Sequence, residues 1–111
     1  MYRLYGATGR ASVAPESILE EIGIAYEYVH VDSEGRRGPE YLALNPLGQV
    51  PTLVDDSHVI CESAAICLYL CDRHPEAGLA PTYDSPARGK LYQWLFFLSN
   101  TLQPSYMLFF Y

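Results

Sequence analysis

Apolar and polar positions change period along this chain, and the changes mark its elements. Tyr2-Arg3-Leu4-Tyr5 alternates as a short strand does, and the loop Gly6-Ala7-Thr8-Gly9-Arg10 follows. Ile18, Leu19 and Ile22 then fall at helical spacing. Ser12 stands ahead of them at a capping position, Pro15 lies in the first turn, Glu16 suits the helix dipole, and Gly23 stops the helix. Tyr26-Glu27-Tyr28-Val29-His30-Val31 returns in part to alternation, as a second strand. A strand–helix–strand unit this short fits a parallel pair with a right-handed crossover.

Asp32 to Pro39 is polar and rich in breakers, so it reads as a loop. Pro39-Glu40-Tyr41-Leu42-Ala43-Leu44 is a short helix, opened by proline and closed before Pro46. After Asn45-Pro46-Leu47-Gly48-Gln49 the chain extends through Val50-Pro51-Thr52-Leu53-Val54. Pro51 has no N–H for a ladder, so it belongs at the first position of a strand. Proline there also permits a cis Val50–Pro51 bond, which turns the Val50 N–H and C=O outward. Such an edge can pair with an extended peptide.

Val54 to Cys61 reads as strand, tight turn, strand, and Glu62 to Arg73 as a helix with Ile66 and Leu70 on its core face. His74 to Pro81 has the composition of a linker. After Pro86, Leu91, Trp94, Leu95, Leu98 and Leu102 recur at helical spacing, and Pro104 is expected to kink that helix. The closing run Tyr106-Met107-Leu108-Phe109-Phe110-Tyr111 is apolar nearly all round, a pattern that expects neighbours on every side.

Composition narrows the function. A chain of 111 residues makes one ordinary domain and part of a second, and its apolar half supports a packed globule. The net charge of −6, with Arg36-Arg37 the one basic pair, argues against nucleic acid as a partner. No charged leader precedes an apolar core and cleavage site, and the apolar runs break well short of a membrane span. Three cysteines, Cys61, Cys67 and Cys71, form no disulfide framework and suit a reducing cytoplasm. Cys67 and Cys71 share a helix face with no histidine to complete a zinc set, so they read as small apolar packing and no metal is expected.

Asn45-Pro46, Gly48-Gln49-Val50-Pro51-Thr52-Leu53 and Glu62-Ser63-Ala64-Ala65-Ile66, in this order and spacing, resemble the signature of the glutathione transferase N-terminal domain. The resemblance implies an α/β, thioredoxin-like βαβ-α-ββα domain with a mixed four-stranded sheet, over residues 1–75. A linker over 76–85 would follow, and residues 86–111 would open an all-helical domain. It also implies a cytoplasmic homodimer that takes glutathione and a small electrophile, with no nucleic acid and no membrane.

The residues suit that tripeptide. Ser63 at a helix N-terminus can hold the γ-glutamyl carboxylate with its N–H and hydroxyl, and Glu62 can accept from the ammonium. Val50, before Pro51, can exchange backbone bonds with the cysteinyl unit, while Gln49 and Arg36 or Arg37 are within the loops that would face the glycine carboxylate. Thiol activation is the catalytic step: lowering a pKa of about 8.5 by about two units takes roughly 2.7 kcal/mol. The donor belongs in Gly6 to Ser12. Leu4 to Pro15 resembles the bacterial, beta-like branch, which carries a cysteine where Ala11 stands. Thr8 and Ser12 remain as hydroxyl donors, ahead of Arg10 as a cation beside the thiolate. Tyr106 and Tyr111 are candidates for the electrophile pocket, and Gln103 and Asn100 for further contact with glutathione, although packing or solvation explains these four as well. A glutathione-binding module without transferase activity, or an inactive fragment, is the alternative.

Overall fold

The computed structural model describes residues 1–110. Four strands form one sheet: β1 (Tyr2–Gly6), β2 (Tyr26–His30), β3 (Thr52–Asp55) and β4 (His58–Cys61). Their order is β2-β1-β3-β4, with β1 parallel to β2 and antiparallel to β3, and β3 antiparallel to β4. This is the mixed four-stranded sheet that the family resemblance implied. The extended run predicted from Val50 enters the ladder only at Thr52, which pairs with Tyr5 on one side and Cys61 on the other. Val50 and Pro51 therefore stand just beyond the paired edge.

Helices α1 (Val13–Ile22) and α3 (Ser63–Arg73) pack on each other over one face of the sheet. Leu4, Leu19, Leu53, Ile66 and Leu70 meet there with no exposed surface. Each such side chain contributes about 1.5–3 kcal/mol on leaving water. Gly23 ends α1 in the left-handed conformation (φ 80°) and returns its N–H to the Leu19 carbonyl at 3.0 Å. Alternation along β1 sends Tyr5 to the opposite face from Leu4. There its ring lies 5.8 Å from that of Tyr41, on α2 (Pro39–Leu44). Tyr5 thereby seats α2 on the sheet's second face.

Beyond α3 the chain passes a 3-10 turn at Pro75–Ala77 and reaches α4 (Ala87–Phe97). Arg88 fastens α4 to the sheet unit, although nothing in the hydrophobic pattern marks it. It is only 6% exposed. Its guanidinium holds both Asp72 oxygens (2.9 and 2.7 Å), donates to the Pro81 carbonyl at 2.9 Å and to the Tyr92 hydroxyl at 3.1 Å. Hydrogen bonding to Asp72 raises its pKa further, so the charge is permanent.

The kink expected at Pro104 takes a specific form. Residues Leu98–Leu102 make a π turn, closed by the Gln103 N–H on the Leu98 carbonyl, and α5 (Gln103–Phe110) continues from it. Proline lacks the N–H for an α-helical bond, and its ring crowds the carbonyl four residues back; a widened turn relieves both. The amphipathic face predicted from Trp94, Leu98 and Leu102 is corrected by the structure: all three are exposed. Among the described residues no helix is long and apolar enough to cross a membrane, and no group of acidic, histidine and cysteine side chains could hold a metal ion.

Candidate functional site

A groove opens at the end of the sheet where β1 runs into the loop that follows it and β3 emerges from the loop before it. It has two lobes, of about 380 Å³ and 230 Å³. Ala11, Gln49, Val50, Gln103 and Met107 line both, so the lobes join along the Gln49–Val50 segment. Volumes of this kind suit a small organic ligand.

The segment is held from below by a buried polar network. Tyr41 donates its hydroxyl to the Gln49 carbonyl, and that hydroxyl also lies 2.7 Å from Thr52 Oγ1. Asn45 Nδ2 donates to the same two oxygens at 2.9 and 3.3 Å. Tyr41, Asn45 and Thr52 are all buried, and burial raises the Tyr41 pKa, so the phenol stays protonated as a donor. Gly48 makes the turn at φ 65°, and a Cβ there would lie 2.8 Å from the Arg36 carbonyl oxygen. Glycine is thus required by both conformation and space. The Val50–Pro51 bond is cis.

The second lobe is the N-terminal end of α3, with Glu62, Ser63 and Ala64 in its wall. The N–H groups of a first helical turn have no partner within the helix and favour an anion. Glu62 was read as the first residue of that helix. It instead sits just outside, at φ 74° and ψ 117°. A non-glycine residue in that region costs of order 1–3 kcal/mol and signals a site where position outweighs comfort. Ser63 Oγ donates to the Ala11 carbonyl at 3.0 Å, tying the α3 end to the loop before α1.

Two arginines mark the first lobe. Arg10 and Arg36 line it, with Tyr106 and Met107 of α5 opposite. Arg36 Nη1 donates to the Val31 carbonyl at 2.9 Å, which fixes where the guanidinium points. Arg37 and Asn100 are exposed and line neither lobe. Tyr111 lies outside the described residues.

Ser12 and Thr8 fall elsewhere than the sequence suggested. Ser12 occupies the position before α1, but its side chain caps nothing. At 1% exposure, its Oγ accepts from the Ala7 N–H at 3.1 Å and donates to the Ala7 carbonyl at 3.0 Å. With its hydrogen committed to Ala7, that hydroxyl is not a donor to the groove. Thr8 is exposed in the turn and lines neither lobe. Among the expected activating residues, Arg10 alone reaches the groove wall. Gln49, Val50, Pro51, Glu62 and Ser63 come together around it.

Sequence reasoning passed over Cys61 and Met107 as lining residues, and Met107 was hidden in a uniformly apolar run. Ala11 had been marked only as the position of the branch's cysteine. Gln103 and Tyr106 had been noted, and both prove to line the groove.

Comparison with known proteins gives this arrangement a context. The family model for the glutathione S-transferase N-terminal domain matches residues 1–72. Glutathione S-transferase GST-4.5 of Xanthomonas campestris is 33% identical over 104 residues, covering 94% of this chain and 51% of that protein. A sphingomonad glutathione S-transferase solved in complex with glutathione superposes with a TM-score of 0.90 at 36% identity, over 98% of this chain and 56% of that one. The bacterial beta-class enzyme of Sphingomonas chungbukensis gives a TM-score of 0.89 at 36% identity, over 97% and 56%. The chain thus spans about half the length of the relatives it matches.

Proposed function

This chain belongs to the glutathione S-transferase N-terminal-domain family, and on that premise we propose that its groove binds glutathione and stabilises the thiolate for attack on a small electrophile. One observation carries the reading: the two lobes meet at Val50, and each carries a seat for a carboxylate at its far end, with an acidic side chain at one of them. The α3 N-terminus and Glu62 stand at one end, and Arg10 and Arg36 at the other. Glutathione has the matching order, with a zwitterionic γ-glutamyl head, an extended cysteinyl centre and a glycine carboxylate.

The head carboxylate sits on the first-turn N–H groups of α3, with Ser63 exchanging its Ala11 bond for the ligand, and Glu62 takes the ammonium. The cysteinyl backbone pairs with Val50, beyond the ladder that begins at Thr52. Gln49 and Arg36 take the glycine carboxylate. The sulfur then lies near Ala11, and the cation of Arg10 together with the start of α1 lowers its pKa. Ser12 and Thr8 recede from the donor role, Ser12 becoming the brace of the loop that carries Arg10.

Titration calorimetry tests the site. Glutathione is expected to bind, and Ser63→Ala or Glu62→Gln to weaken it by about tenfold each, the loss of one charge-assisted hydrogen bond. Absence of binding by the parent chain would overturn the reading. Arg10→Gln should raise the pKa of the bound thiol, followed by thiolate absorbance.

The commitment of the Ser12 hydroxyl to Ala7 favours a second reading, a glutathione-binding module without transferase activity. Turnover of a generic aryl halide separates the two. The division into 1–75, 76–85 and 86–111, the homodimer and the cytoplasmic setting belong to the same proposal. The exposed apolar surface of α4 and α5 supports an association, which size-exclusion chromatography measures.

A further inference from the structure

Gln49 and Val50 share one peptide group at the place where the two lobes join. That peptide is trans, so its N–H points away from its C=O. On the buried side the Gln49 carbonyl takes two donors, the Tyr41 hydroxyl and Asn45 Nδ2. The Val50 N–H is thereby turned the other way, toward the groove. Among the described residues no backbone acceptor takes it.

The donors behind that carbonyl run in one sense. Tyr41 gives its hydrogen to Gln49, so Thr52 is the donor across the 2.7 Å contact between the two hydroxyls. Thr52 Oγ1 in turn accepts from Asn45 at 3.3 Å. Asn45 is itself oriented, because its Oδ1 accepts from the Leu47 N–H at 3.1 Å. In a chain of this kind each bond strengthens the next by about 10–30%. The chain ends on an oxygen conjugated with the Val50 nitrogen. Drawing electron density to that oxygen deepens the double-bond character of the peptide C–N and leaves the N–H a stronger donor. Packing does not call for the hydroxyl: the Tyr41 ring meets Tyr5 at 5.8 Å, as the ring of a phenylalanine would. Tyr41 lines neither lobe.

We propose that Tyr41 is a positioning residue for the cysteinyl unit, its hydroxyl fixing the direction and the donor strength of the Val50 N–H without touching the ligand. The role rests on the glutathione reading, and it is one of uniform binding: the ligand's backbone gains and its sulfur does not.

Two replacements test it. Tyr41→Phe removes the hydroxyl and keeps the ring, and 3-fluorotyrosine in place of Tyr41 makes the hydroxyl a stronger donor. The Val50 amide proton, followed by NMR on the free chain, should move downfield from Tyr41→Phe to the parent to the fluorinated chain. Calorimetry with glutathione and with S-methylglutathione should rank the three chains in the same order, Tyr41→Phe losing about threefold for both ligands. The pKa of the bound thiol, from thiolate absorbance, should be the same in all three. A fluorinated chain that matches the parent at Val50 marks a role in packing alone and overturns the assignment. A loss for one ligand only, or a shifted thiol pKa, overturns it as well. Failure of glutathione to bind the parent overturns the underlying reading and the ligand role with it, while the amide series still decides whether Tyr41 governs Val50.

Discussion

Ser12→Ala separates a structural serine from a catalytic one. The substitution removes the oxygen that accepts from the Ala7 N–H at 3.1 Å and donates to the Ala7 carbonyl at 3.0 Å. The carbonyl keeps a second partner, the Arg10 N–H at 3.3 Å. The Ala7 N–H loses the Ser12 oxygen as its acceptor, and Ala7 is buried. An orphaned buried donor costs about 1–3 kcal/mol, and the lost bond to the carbonyl about 0.5–1.5 kcal/mol more. A loss near 3 kcal/mol is therefore expected, roughly a hundredfold in the folded-to-unfolded ratio. With a urea slope of about 1.5 kcal/mol/M, the unfolding midpoint should fall by about 2 M. Thr8→Val, in the exposed turn, should stay within about 0.5 kcal/mol of the parent. Below its transition, Ser12→Ala should bind glutathione with the parent's thiol pKa. A variant as stable as the parent whose bound thiol titrates a full unit or more higher would refute the argument and return Ser12 to the donor role.

Burial pushes the Cys67 thiol up to about 11, above the ordinary thiol range, so the folded chain holds that proton more tightly than the unfolded chain. Stability should be complete below about pH 8.5 and drain as pH rises toward about 11, and Cys67→Ala should flatten that decline in urea midpoints measured against pH. Glu62→Gly should relieve the φ 74° conformation and raise stability by up to about 1 kcal/mol while weakening glutathione, so stability and affinity move in opposite directions. A loss of stability would count against the strain, and undiminished affinity against the ammonium contact. Arg88→Met should leave hydrogen-exchange protection of β1 and α1 intact and lower it across Ala87–Phe97; a uniform loss would show that Arg88 supports the whole fold instead of the α4 junction.

The strands, α1, α2 and α3 were legible because each repeats a period that burial enforces, with proline and glycine at the breaks. Ile66 and Leu70 are the buried pair that the helical spacing indicated. The order of Gln49, Val50, Pro51, Glu62 and Ser63 pointed to one place, and the structure brings all five to the groove wall. The surroundings of Ser12 and Thr8 were not legible. Ser12 looks the same in sequence whether it caps α1, faces a ligand or braces Ala7, because the choice depends on how closely Gly6 lets the chain approach: a Cβ on Gly6 would stand 2.6 Å from Ser12 Cβ. The inward face of the last helix was misread because Leu98, Leu102 and Met107 are equally apolar, and hydrophobicity cannot count the extra residue in a π turn. Arg88 escaped notice because its four acceptors are scattered over three segments.

The guanidinium of Arg88 acts as a fixed bearing at the root of α4. With that end held, bending in this arm is directed to the widened turn some ten residues farther along, and the part that swings carries Gln103, Tyr106 and Met107. That wall of the groove can then drift through mutation while the side formed by Val50 and Ser63 keeps its shape. One rivet thus decouples a wall free to diversify from one that the sheet unit holds fixed.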